Sequence, residues 1–198
     1  VSSFVLHKIE DVSAIVKIVN NFNKEWLDYT FRQNNYFIHR HTHTVLVTDF
    51  DAEYWEKISY QENKFASPKC KFVLERQNLL VLLQPILDYL KAEHNGEIAK
   101  TMFVKLSANK KINEHSDAGL YLSTIKRHHI PIITNEDVWF FVDGEKKNLK
   151  VGEIWEIDNT KLHKVENLSN LDRVHLIVDI LPNAYLGQAL NNLDRIRP

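Results

Sequence analysis

From Ile98 onward the chain breaks into short β-prone segments separated by turn signals. Lys100–Leu106, Ile125–Ile133, Val138–Val142, Gly152–Ile157 and Val174–Ile180 are rich in β-branched and aromatic residues, which suit a pleated, half-buried surface. Asp143-Gly144 marks a turn between two of them. Many short strands with this punctuation imply a sandwich or a barrel.

The first half reads differently. Ser3–Ile9 suggests a strand, and Thr44–Thr48 another. Val12, Ile15, Val16, Val19, Phe22 and Trp26 recur at helical spacing, which predicts an amphipathic helix from about Asp11 to Tyr29. Tyr60–Lys71 is polar, contains Pro68 and reads as a long loop. A second helix is expected over Leu79–Glu93, starting at Pro85 if the proline opens it, and ending at Asn95-Gly96. Ala184–Asp194 suggests a C-terminal helix packed on the outside. Helices gathered at the N-terminus would cover one sheet. The expectation is one α+β, mainly β domain: an N-terminal part over 1–97, a barrel core over 98–182 and a helix over 183–198.

Composition narrows the partners. The chain has 198 residues and a net charge of −1, so neither a nucleic-acid footprint nor an acidic tail is indicated. Its longest apolar runs, Leu79–Leu83 and Val138–Val142, stop at Gln84 and Asp143, far short of the roughly 20 residues that span a bilayer. The single Cys70 excludes an internal disulfide framework and fits a reducing compartment. Val1–Lys8 is too short for a signal peptide. No internal repeat appears, and a cytoplasmic location is expected.

The chemistry lies between His115 and Asp179. His115-Ser116-Asp117 is followed by His163-Lys164-Val165-Glu166-Asn167 and then Arg173-Val174-His175-Leu176. On a strand, residues i and i+2 face one side, so His115 and Asp117 would share a cavity. Two imidazoles and one carboxylate can cap one face of a metal and leave its other positions open, as non-haem Fe(II) oxygenases require. Arg173 then offers a fixed cation to a carboxylate co-substrate. Asn167-Leu168-Ser169-Asn170 reads as a turn, which would set His163 and Arg173 on neighbouring strands at a barrel mouth. A loop pair and a surface histidine would explain the bare spacing equally well.

The flanking residues decide between these. Ser107–Asp179 resembles the aspartyl/asparaginyl β-hydroxylase-like branch of the Fe(II)/2-oxoglutarate-dependent oxygenases, the branch that includes the free-proline cis-hydroxylases. The resemblance rests on His115-Ser116-Asp117, Arg127-His128-His129-Ile130-Pro131, Thr134-Asn135, Gly152-Glu153-Ile154-Trp155, His163–Asn167 and Arg173–Asp179. It implies a double-stranded β-helix, a jelly-roll or cupin-like barrel. It also implies Fe(II) held by His115, Asp117 and His163, with 2-oxoglutarate and O₂ as co-substrates. Arg173 would take the far carboxylate of 2-oxoglutarate, and Arg127 and His129 would lie near that carboxylate or the substrate. Some relatives lack the carboxylate ligand; this chain keeps it as Asp117.

Other residues stay outside that set. His39, His41 and His43 alternate, and three imidazoles on one strand face can hold zinc. No acid or Cys completes such a site, and a pocket-rim role in substrate contact suits His41 and His43 better. Trp139, Phe140, Phe141 and Trp155 are expected to fill the core or support the sheets. His175 would point inward with Arg173 or serve as a core histidine.

The expected activity is hydroxylation of an unactivated C–H bond in a free amino acid or small polar metabolite. Its alternatives are a peptidyl Asp/Asn β-hydroxylase, a cupin-like metal-binding module without turnover, and a metal-dependent hydrolase or isomerase on the same barrel. The partner is a small-molecule or peptide substrate, with no nucleic acid and no membrane.

Overall fold

Strand pairing divides the chain between two antiparallel sheets. The computed structural model describes residues 2–50, 70–72 and 77–185. Its strands are β1 (Phe4–Ile9), β2 (Thr42–Phe50), β3 (Cys70–Phe72), β4 (Gly96–Leu106), β5 (Lys110–His115), β6 (Lys126–Ile133), β7 (Val138–Val142), β8 (Glu145–Lys147), β9 (Glu153–Ile157), β10 (His163–Asn167) and β11 (Arg173–Pro182). The larger sheet runs β1-β9-β6-β11-β4-β2-β3 and the smaller β5-β10-β7-β8. Together they form a double-stranded β-helix.

Side-chain alternation along the central strand β11 creates two interiors. Val174, Leu176, Val178 and Ile180 join a core with Phe103 of β4 and Ile130 and Ile132 of β6. Helices close that face: Val12, Ile15 and Val19 on and just before α1 (Ser13–Val19), Trp26 of α2 (Glu25–Asp28), and Leu79, Leu83, Ile86 and Leu90 of α4 (Gln77–Glu93). The short α3 (Phe31–Asn35) and a 3₁₀ turn (Phe37–His39) follow α2. Between the sheets, Phe4, Leu106, Ile112, Phe140, Val142, Ile157 and Val165 form a second apolar cluster.

Several expectations change in detail. The helix expected over Asp11–Tyr29 is two helices. Asn21 Nδ2 donates to the Lys17 carbonyl at 2.8 Å and the Asn23 N–H donates to Glu25 Oε2 at 2.9 Å, so the Asn-rich segment satisfies the backbone locally instead of continuing the helix. Asp143-Gly144, with φ of 51° and 80°, joins β7 to the unanticipated short strand β8 rather than to β9. β1 and β2 pair with β9 and β4, so the division at residue 97 separates no structural layers. Pro85 lies on the exposed side of α4, which begins before it. The loop expected over Tyr60–Lys71 gives way at Cys70 to β3; its remainder, and the part of the expected Ala184–Asp194 helix beyond Tyr185, lie outside the described residues.

Gly152 shows why its position accepts nothing larger. Its φ is +80° and a Cβ would collide with the Glu10 carbonyl oxygen. The Glu10 N–H donates to its carbonyl at 2.9 Å, and its own N–H donates to Pro131 at 3.0 Å. Gly152→Ala is therefore expected to destabilise the protein by about 2 kcal/mol or more. A urea-unfolding midpoint equal to that of the parent protein would refute this.

Candidate metal centre and co-substrate pocket

Register brings the two metal-site histidines together. His115 ends β5 and His163 starts β10, and the two are direct cross-strand partners, with ring centroids 4.2 Å apart. Each ring is held by the chain itself. His115 Nδ1 lies 2.7 Å from the Asn113 carbonyl and His163 Nδ1 lies 2.8 Å from the Lys161 carbonyl. A carbonyl accepts only, so both Nδ1 atoms carry the proton and both Nε2 lone pairs are free for a metal. Burial lowers the pKa of His163 and outweighs the opposing hydrogen bond to the Lys161 carbonyl, which favours the neutral, ligating form.

Asp117 reaches the same point by another route. β5 stops at His115, so the i, i+2 rule of a strand does not orient it. Its N–H donates to the Asn159 carbonyl at 2.9 Å. Its Oδ2 accepts from Arg127 Nη1 at 2.5 Å and from Asn159 Nδ2 at 3.3 Å. Oδ1 is left 3.7 Å from His115 Nε2. One ligand atom from each of His115, Asp117 and His163 lies within 4.8 Å of the others. Two nitrogens and one hard oxygen on a single face suit Fe(II) with open positions.

Arg127 is a clamp. Its Nε and Nη2 donate to the two oxygens of Asp179 at 2.8 and 2.9 Å while Nη1 holds Asp117. Tyr121 Oη donates to the same Asp179 at 2.8 Å. Burial pushes the Asp179 carboxyl up, but the Arg127 charge and hydrogen bonds outweigh it and the net shift is downward.

Arg173 is placed differently from the expectation. β10 and β11 belong to opposite sheets, not to neighbouring strands, so His163 and Arg173 meet across the barrel interior. Arg173 is 1% exposed. Its Nη2 lies 2.7 Å from His175 Nδ1, and its Nε has no hydrogen-bond partner among the described residues. Burial alone lowers its pKa to about 9, so it remains a cation at neutral pH, with no carboxylate to offset it among the described residues. A buried, forked donor of this kind fits the far carboxylate of 2-oxoglutarate.

One cavity joins these groups. It has a volume of about 50 Å³ and is lined by the metal-site residues, Arg127, His129 and Arg173, with Val104, Phe140 and Ile177 among its apolar walls. His129 packs edge-on to Phe140, with Nδ1 3.4 Å from His175 Nδ1. His41 and His43 do not line it. β2 begins only at Thr42, so the alternation expected from His39 to His43 is not strand alternation; His41 instead meets Arg40 at 2.9 Å. His39, on the 3₁₀ turn, does reach the cavity and stands edge-on to His115 with centroids 5.9 Å apart.

Arg32, on α3, was not legible in the sequence: it is an ordinary arginine in a polar stretch. Its Nη2 lies 3.0 Å from His39 Nε2 and its Nη1 3.8 Å from Met102 Sδ, with no carboxylate in ion-pair contact among the described residues. Burial, and then the Arg127 charge, lower its pKa to about 10. Asp179 had a signal, since it shares the parity of Arg173 and His175 on β11.

A family model for aspartyl/asparaginyl β-hydroxylase matches residues 20–182. The chain belongs to that family. A curated relative, L-proline cis-4-hydroxylase from Rhizobium meliloti (strain 1021), is 27% identical over 113 residues. That match covers 56% of this chain and 40% of the relative, so the chain spans less than half of that protein's length. Two solved structures share the fold over most of their length. An oxidoreductase of the 2OG-Fe(II) oxygenase family from Burkholderia pseudomallei superposes with a TM-score of 0.59 at 12% identity, over 90% of this chain and 84% of that one. The viral collagen prolyl hydroxylase of Paramecium Bursaria Chlorella virus-1, solved as a 2OG complex, gives 0.57 at 8% identity, over 91% and 96%.

The clamp makes a prediction. Asp179→Asn keeps the shape but halves the hold on Arg127, and through it on Asp117. Fe(II) affinity is expected to fall about 10- to 100-fold, the usual cost of losing an outer partner of a metal ligand. His163→Ala should abolish that binding and His41→Ala leave it intact. Anaerobic Fe(II) titration measures all three. Wild-type affinity in Asp179→Asn would show that Asp117 needs no clamp.

Proposed function

We propose that this chain is an Fe(II)- and 2-oxoglutarate-dependent dioxygenase that hydroxylates an unactivated C–H bond of a free amino acid or small polar metabolite. One observation carries the reading: the buried Arg173 guanidinium, which has no carboxylate partner among the described residues, opens on the cavity that holds His115, Asp117 and His163. A hydrolase or isomerase on this barrel would leave that cation without a partner, and its desolvation without compensation.

His115, Asp117 and His163 would hold the iron, and Arg173 would orient 2-oxoglutarate through its far carboxylate. Bound together, iron and 2-oxoglutarate supply O₂ activation, converting the substrate C–H to an alcohol as 2-oxoglutarate loses CO₂ to become succinate. The chain's part is placement. The backbone carbonyls of Asn113 and Lys161 fix the two rings, Arg127 aims Asp117, and Val104, Phe140 and Ile177 exclude water.

Arg32 supports the substrate class. The second recess beside the metal residues is walled by Tyr29, Phe31, Tyr36 and Met102, and Arg32 projects there beside His39. A cation with no carboxylate in ion-pair contact among the described residues, a few side chains from the metal residues, favours a substrate that brings its own carboxylate, as a free amino acid does.

Two measurements test this. Aerobic incubation with an amino-acid and peptide library should give products heavier by one oxygen, with succinate formed in step. No succinate with any substrate would leave a metal-binding module without turnover; oxygen gain only on Asp- or Asn-containing peptides would move the substrate to a peptide side chain. Arg173→Ala is expected to raise the apparent 2-oxoglutarate constant by roughly thirtyfold to several thousandfold, the equivalent of about 2–5 kcal/mol, with iron binding nearly normal. Arg32→Ala should instead raise the constant for the hydroxylated substrate and spare that for 2-oxoglutarate.

A further inference from the structure

On β6 the residue between the cavity-facing Arg127 and His129 points the other way. His128 is wholly buried on the helix-covered face of the larger sheet. Three side chains from three other elements surround it: His7 of β1, His94 just past the end of α4, and Glu156 of β9. One ligand atom from each of the four lies within 4.8 Å of all the others.

We propose that His7, His94, His128 and Glu156 form a second metal site, suited to Zn²⁺ and separate from the iron centre. Zinc in tetrahedral sites takes imidazole nitrogen at about 2.0–2.1 Å and carboxylate oxygen at about 2.0–2.2 Å, which sets ligand atoms roughly 3.3–3.4 Å apart. The cluster brackets that spacing. His94 Nε2 lies 2.8 Å from His128 Nε2 and 3.8 Å from Glu156 Oε2, and His7 Nε2 lies 3.3 Å from the same oxygen.

The outer contacts turn the right atoms inward. His128 Nδ1 faces the Val178 carbonyl at 3.4 Å, which places its proton there and its lone pair on Nε2. His7 Nδ1 faces Glu93 Oε1 at 3.7 Å, a carboxylate–imidazole arrangement typical of the outer shell of zinc ligands. Lys126 Nζ holds Glu156 Oε1 at 2.8 Å and leaves Oε2 to the histidines. Burial lowers the pKa of His94, and lowers that of His128 to about 3, so both rings are neutral. Burial raises the Glu156 carboxyl, but Lys126 outweighs it and the net shift is downward. The C-terminal end of α4, one residue before His94, is the helix end that favours a cation.

Four protein ligands leave no open position, so the metal would be structural. It would tie β1, at one end of the larger sheet, to α4 and to the two strands next to it in the order, β9 and β6.

Chelator-stripped protein is titrated with Zn²⁺ alone, and bound zinc is counted by mass spectrometry after gel filtration. Two equivalents per chain are expected for the wild type, because the iron centre also takes zinc. His163→Ala and His94→Gln should each keep one, and their combination none. Glu156→Gln, which preserves shape, should weaken the second equivalent by at least about a hundredfold, more than the loss of an outer partner alone. Zinc should also raise the melting temperature of His163→Ala but not of the double variant. A His163→Ala protein that binds no zinc, or a His94→Gln or Glu156→Gln protein that still binds two with wild-type affinity, overturns the site.

Discussion

The functional site depends on one guanidinium held by two carboxylates. Asp117 stands on a loop, two residues past the end of its strand, and nothing in strand geometry aims it at the metal. Arg127 aims it, and Arg127 is in turn fixed by a two-point contact with Asp179, which is 0% exposed in the central strand of the larger sheet. The loop residue Asp117 thereby takes its position from the buried central strand of the larger sheet. The same contact leaves only one Asp117 oxygen for a metal, which suits a carboxylate bound through a single atom and leaves the remaining positions to co-substrates.

Alternation on β6 and β11 turns that rigidity into two chemically different faces. Arg127 and His129 of β6, with Arg173 and Ile177 of β11, line the cavity between the sheets. Their neighbours Ile130 and Ile132, with Val174, Leu176, Val178 and Ile180, meet the helices. β11 is therefore buried along nearly its whole length while carrying an arginine, a histidine and an aspartate. A one-residue slip would exchange these faces, placing charged groups under the helices and apolar ones in the site. Packing of the helical face thus fixes the register on which the site depends.

Much of this was legible in the sequence, because strand periodicity and ligand chemistry are local. His115, His163 and Arg173, the type of most strands and the inward facing of Arg127 and His129 follow from spacing or from resemblance. What escaped depends on contacts between distant parts of the chain. The Asn-rich break after Val19 is a competition between side chains and backbone that helical periodicity does not register. The placement of His163 and Arg173 on opposite sheets is topology, which the turn at Asn167–Asn170 does not reveal. His39 rather than His41 reaches the cavity because a 3₁₀ turn, not a strand, carries it. Arg32 has no motif at all; it matters because folding leaves it without a carboxylate in ion-pair contact among the described residues.

Charge in the cavity makes the final connection between fold and chemistry. Arg127 is ion-paired with Asp117 and Asp179, whereas Arg173 and Arg32 have no carboxylate in ion-pair contact among the described residues. Buried cations destabilise a fold unless something compensates them, and neighbouring groups do not: burial, with arginine charges close behind, keeps His39, His129 and His175 neutral. A divalent metal on His115, Asp117 and His163 would add further positive charge. Under the function proposed above, that compensation would arrive with anionic ligands. In that proposal 2-oxoglutarate would meet Arg173, and a carboxylate-bearing substrate would meet Arg32. If the proposal holds, the desolvation of Arg173 left uncompensated in the empty protein would reappear as selectivity for a dianionic co-substrate over neutral competitors.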